Sequence, residues 1–286
     1  MQCKIALKTT YNNHSMLKFI SLGSGSCGNC YYLNADGYGI IIDLGIGIRN
    51  FKKLFSNYGL TIAQIQAILV THDHTDHVKA VGALSRDFHI PVYTSEKVHD
   101  SIMHNHFVSK KVPLNLQHNI VRGEEFELGP FNITSFAVPH DSADNNGYII
   151  KTDSKCLVLM TDVGHFTDEM PNIVNQATHL IIESNYDKKM LATGHYPLRL
   201  QKRISSGYGH ISNDETAEFL AKNLNPKIIK HVWLCHLSAE NNLPRIAYET
   251  CQKQLSEAGY KLEGDNANLR LDVLARRTPS LVTEIV

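Results

Sequence analysis

Seven consecutive residues, Thr71-His72-Asp73-His74-Thr75-Asp76-His77, gather three imidazoles and two carboxylates. Imidazole nitrogen and carboxylate oxygen together hold Zn, Mn or Fe, and ligand types clustered at this density mark metal sites. A polar strand-to-helix turn in which Asp76 only caps a helix would need one such residue, not four. His140, Asp162 and His236 are further ligand-type residues, and each follows an apolar run. The chemistry that such a set supports is metal-assisted hydrolysis.

The positioning elements can be read around these residues. Residues 65–70 are an apolar run with strand character, and side chains alternate along an extended segment, so His72 and His74 leave it on one side. Asp76 and His77 open a new element in which Val78, Val81, Leu84 and Phe88 repeat at helical spacing. Residues 39–43 form a buried strand, followed by a helix with Ile48, Phe51, Leu54, Phe55 and Tyr58 on one face. The second half repeats one design: strands at 131–138, 156–160, 179–182 and 231–235 run into His140, Asp162, Glu183 and His236. Strands that finish in such residues imply a sheet whose carboxyl ends make one rim, where α/β folds collect functional loops. Ser212-Asn213-Asp214-Glu215 fits a capping box opening a helix, and Gly259 fits the end of another.

Lysine plus arginine equals aspartate plus glutamate, 28 each, so nothing global draws the chain to nucleic acid or an anionic membrane. Any polyanion site must be local. The 16 histidines are an excess that metal sites explain. Six cysteines without a disulfide framework fit a reducing compartment, and the absence of a secretory pattern or membrane-length run predicts a soluble cytoplasmic protein with no membrane partner. Residues 1–15 read as a disordered leader, with Met16 a possible start, and residues 16–286 as one domain, because the candidate ligands span 72 to 236.

Three glycines in residues 23–30 make a loop that could turn backbone N–H groups on an anion or simply join two strands. Cys27-x-x-Cys30 feeds a strand instead of opening a helix, so both are expected to be ordinary thiols. His104-x-His106 lacks a preceding strand and reads as a solvated or lid segment. Lys188, Lys189, Arg199, Lys202 and Arg203 form a basic segment that is either a solvated face or a phosphate track. Asp73, Asp141, His165 and His195 are candidates for supporting the ligands. Cys235 should face away from His236, since neighbours on a strand point to opposite sides.

With His72-x-His74-x-Asp76-His77 followed in order by His140, Asp162 and His236, the chain resembles the metallo-β-lactamase-fold hydrolases. Residues 19–29, 183–187, 209–213 and 235–238 resemble the WalJ/YycJ-type, exonuclease-like subfamily, with Cys27 standing where a serine is expected. The resemblance implies an α/β fold, the four-layer αβ/βα sandwich, with a dinuclear site at the rim of its sheets. It assigns His72, His74 and His140 to one divalent ion, Asp76, His77 and His236 to the other, and Asp162 to both. Zn, Mn or Fe would serve, about 3.5–4 Å apart, with a shared hydroxide as nucleophile. Asp76 and His210 are the implied catalytic residues, His210 near the leaving group. Ser24, Ser26, Asn29, Asn185, Arg199, Arg203 and Ser212 are the expected substrate contacts. The implied activity is a phosphodiesterase, a 5′-to-3′ exonuclease on DNA. The alternative is a small-molecule hydrolase of the same fold acting on a thioester, lactone or cyclic phosphodiester.

Overall fold

The computed structural model describes residues 16–153 and 155–285; the expected leader at 1–15 lies outside the described residues. The first half of the chain runs through β1 (Leu17–Gly23), β2 (Cys30–Ala35), β3 (Tyr38–Ile42), α1 (Ile48–Asn57), β4 (Ile65–Leu69), α2 (Thr75–Val78) and α3 (Val81–Phe88). It continues through β5 (Val92–Thr94), α4 (Glu96–His104), β6 (Gln117–Asn119), β7 (Glu125–Leu128), β8 (Phe131–Ala137) and β9 (Asn146–Thr152). Next come β10 (Lys155–Met160), α5 (Met170–Asn175), β11 (His179–Glu183), α6 (Lys188–Thr193), α7 (Leu198–Ile204) and α8 (Asn213–Asn223). The chain closes with β12 (His231–Cys235), α9 (Pro244–Glu257), β13 (Arg270–Val273) and β14 (Thr283–Ile285).

These strands make two seven-stranded sheets, ordered β14-β1-β2-β3-β4-β5-β6 and β13-β12-β11-β10-β9-β8-β7. Side-chain alternation builds the layers. On β10, Leu157 and Leu159 enter the core between the sheets, while Cys156, Val158 and Met160 face the helices outside. On β12, Trp233 and Cys235 face inward and Val232 and Leu234 outward. Helices α5, α8 and α9 cover the second sheet, and α1, α3 and α4 cover the first. The result is a four-layer αβ/βα sandwich, and each fully buried Leu or Ile in it contributes about 1.5–3 kcal/mol. Cys235 is fully buried in the inter-sheet core, away from the histidines, and burial pushes its thiol pKa well above the ordinary value.

Parallel pairing gives the sandwich a rim. Strands β3 and β4 run parallel in one sheet, as do β10, β11, β12 and β13 in the other. Their carboxyl ends therefore release the chain on the same side. Three residues just past those ends, Asp43, Asp162 and His236, hold left-handed backbone at φ 58°, 55° and 52°. For non-glycine residues that conformation costs roughly 1–3 kcal/mol and persists only where the surroundings enforce it.

The single helix expected after His74 is two helices. Ala80 breaks it with φ −119°, and its N–H bonds the carbonyl of Leu44 at 2.9 Å, which ties the turn to the end of β3. Gly45 shows how tight this junction is: a Cβ there would lie 1.5 Å from the Asp76 carbonyl oxygen. Cys27 and Cys30 are free thiols. Among the described residues no helix is long and apolar enough to cross a membrane.

Candidate metal centre

Residues distant in sequence meet at the rim. The ligand atoms of His72, His74 and His140 lie within 4.8 Å of one another, and so do those of Asp76, His77 and His236. Asp162 stands between the two groups. Its Oδ1 is 3.7 Å from His140 Nε2 and 3.5 Å from His236 Nδ1, and its Oδ2 is 3.2 Å from His77 Nε2. His74 Nδ1 approaches His140 Nε2 at 3.3 Å, and Asp76 Oδ2 lies 3.4 Å from His236 Nε2.

Four of the five rings are oriented by what their other nitrogen meets. His72 Nδ1 sits 3.0 Å from the Thr71 hydroxyl, and His140 Nδ1 donates to the Gly209 carbonyl at 2.9 Å. His77 Nδ1 instead donates to Asp43 Oδ2 at 2.7 Å, and His236 Nδ1 to Glu183 Oε1 at 2.9 Å. Asp43 is fully buried and also accepts the N–H and hydroxyl of Thr71, both at 2.8 Å. Glu183, fully buried too, accepts His210 Nδ1 at 2.8 Å and the Val163 N–H at 2.7 Å. Such partners fix a ring's tautomer and raise the basicity of its free nitrogen.

Burial and the neighbouring His77 hold His72 well below the ordinary histidine pKa, and burial lowers His140 as well. Burial opposes charge on His77, but Asp162, Asp43 and Asp76 outweigh it and raise its pKa well above the usual value. Against the same burial, Asp162 and the bonds to Asp76 and Glu183 raise His236 to about 10. Burial would raise Asp76, yet His77 and His236 hold it at about 2. Asp162 is likewise kept well below the carboxylate range, burial being outweighed by His236, His77 and His72.

The donor set fits divalent metal. His72 Nε2 is buried without a hydrogen-bond partner, a costly state for a polar atom unless an electrophile occupies its lone pair. A lowered pKa keeps that lone pair free.

The cleft above these groups has a volume of about 260 Å³ and is lined by Ser26, Asn185, Arg203 and His210, among others. Four residues expected at the substrate do not line the cleft. Ser24 is fully buried, its hydroxyl 2.9 Å from Tyr31 Oη and accepting the His236 N–H at 3.0 Å, so it holds the His236 backbone. Ser212 is fully buried as the cap of α8. Arg199 is exposed and does not line the cleft. Asn29 is buried with its Nδ2 2.8 Å from His77 Nε2. Asn185 Nδ2 donates to the His236 carbonyl at 2.8 Å.

Of the supporting candidates, Asp141 accepts Arg203 Nε at 2.6 Å, and Asp73 accepts Ser101 Oγ at 2.5 Å and the Ala143 N–H at 3.1 Å, bracing its loop. His165 and His195 are exposed, as are His104 and His106, and none of these four joins the ligand groups. Sequence reasoning missed the roles of Asp43 and Glu183. Both carry the signal used for the ligands, a carboxylate ending an apolar strand, but they stand one layer behind. Tyr196, Leu200 and Ile204, which line the cleft, were also missed.

A sandwich of this build, with a histidine and aspartate cluster on its rim, defines a metallo-hydrolase, and the chain belongs to the β-lactamase superfamily, whose domain model matches residues 38–236. It is 33% identical over 244 residues to the exodeoxyribonuclease YycJ of Bacillus anthracis, covering 85% of this chain and 91% of the relative. To the exodeoxyribonuclease WalJ of Streptococcus pneumoniae it is 34% identical over 241 residues, covering 84% and 89%. Among solved structures, the metallo-β-lactamase-fold protein YhfI of Bacillus subtilis superposes with a TM-score of 0.67 at 16% identity, covering 95% of this chain and all of that one. The protein is thus an enzyme of a metal-dependent hydrolase family.

Proposed function

We propose that the protein is a dinuclear metal-dependent phosphodiesterase, a 5′-to-3′ exonuclease on DNA. The observation that carries this reading is that Asp162 lies within 4 Å of histidines from both ligand groups, His140 of one and His77 and His236 of the other. His72, His74 and His140 would hold one ion, Asp76, His77 and His236 the other, with Zn, Mn or Fe suited to such donors. Bound ions would lower the pKa of a water to near neutral and polarise the phosphoryl oxygens.

The chain's own residues do the rest. Asp76, ionised at neutral pH, accepts a hydrogen bond from the attacking water and aligns it. His210 keeps its Nδ1–H on Glu183, whose charge outweighs burial and raises the pKa of the ring, so Nε2 can hold a proton over the cleft for the departing oxygen. Proton transfer of this kind contributes about 10²–10⁴-fold. Arg203, steered by Asp141, presents the rest of its guanidinium to a phosphate. The names of the YycJ and WalJ relatives support DNA as the substrate.

The test loads the purified protein with Mn or Zn in turn and offers single- and double-stranded DNA and RNA with and without a 5′ phosphate, His72→Ala being the blank. Release of mononucleotides from the 5′ end of DNA is expected. Inert nucleic acids together with turnover of a thioester, lactone or cyclic phosphodiester would overturn the reading in favour of a small-molecule hydrolase, which the chain's zero net charge favours.

A further inference from the structure

Helix α7 is an unusual element beside a charged site. None of its residues is fully buried, so its apolar side chains are not spent on the protein core. Leu200 and Ile204, one turn apart, line the cleft together with Tyr196 just before the helix. Arg199 and Lys202 are exposed and do not line it. The helix therefore turns apolar surface toward a site whose opposite wall is histidine and carboxylate. Arg203, between Leu200 and Ile204 in sequence, supplies a cation on the cleft side.

A ligand matching that wall has an apolar face next to an anionic group, which is the chemistry of a nucleotide. The cleft volume of about 260 Å³ lies just below the range of ligand pockets, roughly 300–1,000 Å³, which is the scale of a single nucleotide. Resting on the phosphodiesterase reading above, we infer that the Tyr196, Leu200 and Ile204 face takes the base of the terminal nucleotide while Arg203 takes its phosphate, making α7 the element that selects chain ends bearing a base. Stacking and apolar contact are tolerant of sequence, because every base has a π-face. The site should therefore demand a base without demanding a particular one.

The test uses short single-stranded DNA in three forms: unmodified, with an abasic 5′-terminal residue, and with an abasic 3′-terminal residue. Wild-type kcat/KM should fall about tenfold on one abasic strand, the size expected from losing one stacked base. In Leu200→Ala/Ile204→Ala the ratio of unmodified to abasic rates should fall close to one. Tyr196→Ala should reduce the same ratio and Tyr196→Phe should keep it. Equal wild-type rates on all three strands would overturn the inference and leave the nuclease reading standing. A wild-type preference unchanged in every variant would likewise remove α7 from the account. No cleavage of any strand, or faster turnover of an apolar thioester, would overturn both. The wild-type comparison needs no variant, so a misfolded double variant does not shelter the proposal.

Discussion

The two halves of the candidate metal centre are built from similar side chains but backed by opposite chemistry. Behind His72 and His140 stand a hydroxyl and a peptide carbonyl, both neutral. Behind His77 and His236 stand the buried carboxylates Asp43 and Glu183. The pKa directions separate accordingly, down for the first pair and up for the second. The rings are the same, so the difference lies in the carboxylates around them: Asp162 first, then Asp43, Asp76 and Glu183, act on the second pair, while burial dominates the first. One half offers nearly neutral ligands, while the other concentrates negative charge with Asp76 added. Two ions in such surroundings should differ in affinity, the second being held more tightly.

The largest effect comes from erasing the shared element. Asp162→Ala removes a ligand from both halves at once, so turnover should fall to the His72→Ala background and bound metal should drop by elemental analysis. Next is His210→Ala, which leaves all seven proposed ligands in place. Turnover of a diester with a poor leaving group should fall about 10²–10⁴-fold with metal content retained, whereas a good leaving group should suffer much less.

Asp43→Asn and Glu183→Gln address the contrast itself. Each should weaken one ion by about 10–100-fold, seen as loss of a single equivalent to a graded chelator. Equal loss of both ions would erase the distinction between the halves.

The amount readable beforehand divides along the same line. His72, His74, Asp76 and His77 were legible because a strand end and a helix start compress four ligands into six positions. The layering followed from apolar runs ending in polar residues. Asp43 and Glu183 carry the same local signature as Asp162, and only the three-dimensional rim shows that they sit behind histidines instead of beside a ligand. Ser24 and Ser212 looked like substrate contacts for the converse reason: their hydroxyls are consumed by Tyr31 and His236 and by the cap of α8. The Ala80 break depended on a backbone bond to Leu44, which no periodicity encodes.

The smallest effect on the site, and a control for it, comes from His179 and His231, paired at the amino ends of β11 and β12 away from the rim. Burial, with His231 adding to it, holds His179 at about 4. As pH falls below about 6.5 the unfolded chain takes up that proton first, so stability is full above that pH and declines until about 4, by on the order of 3 kcal/mol. Urea unfolding of metal-free wild type and His179→Gln between those limits should show a shallower decline in the variant. Acid sensitivity that persists undiminished would belong to the rim histidines.

The central claim, two ions held in unequal halves joined by Asp162, is tested most directly by counting. Titration of the metal-free protein with Mn or Zn, following bound metal and phosphodiesterase activity together, should show two equivalents bound in separate steps, with activity complete only after the second. Full activity at one equivalent would contradict it.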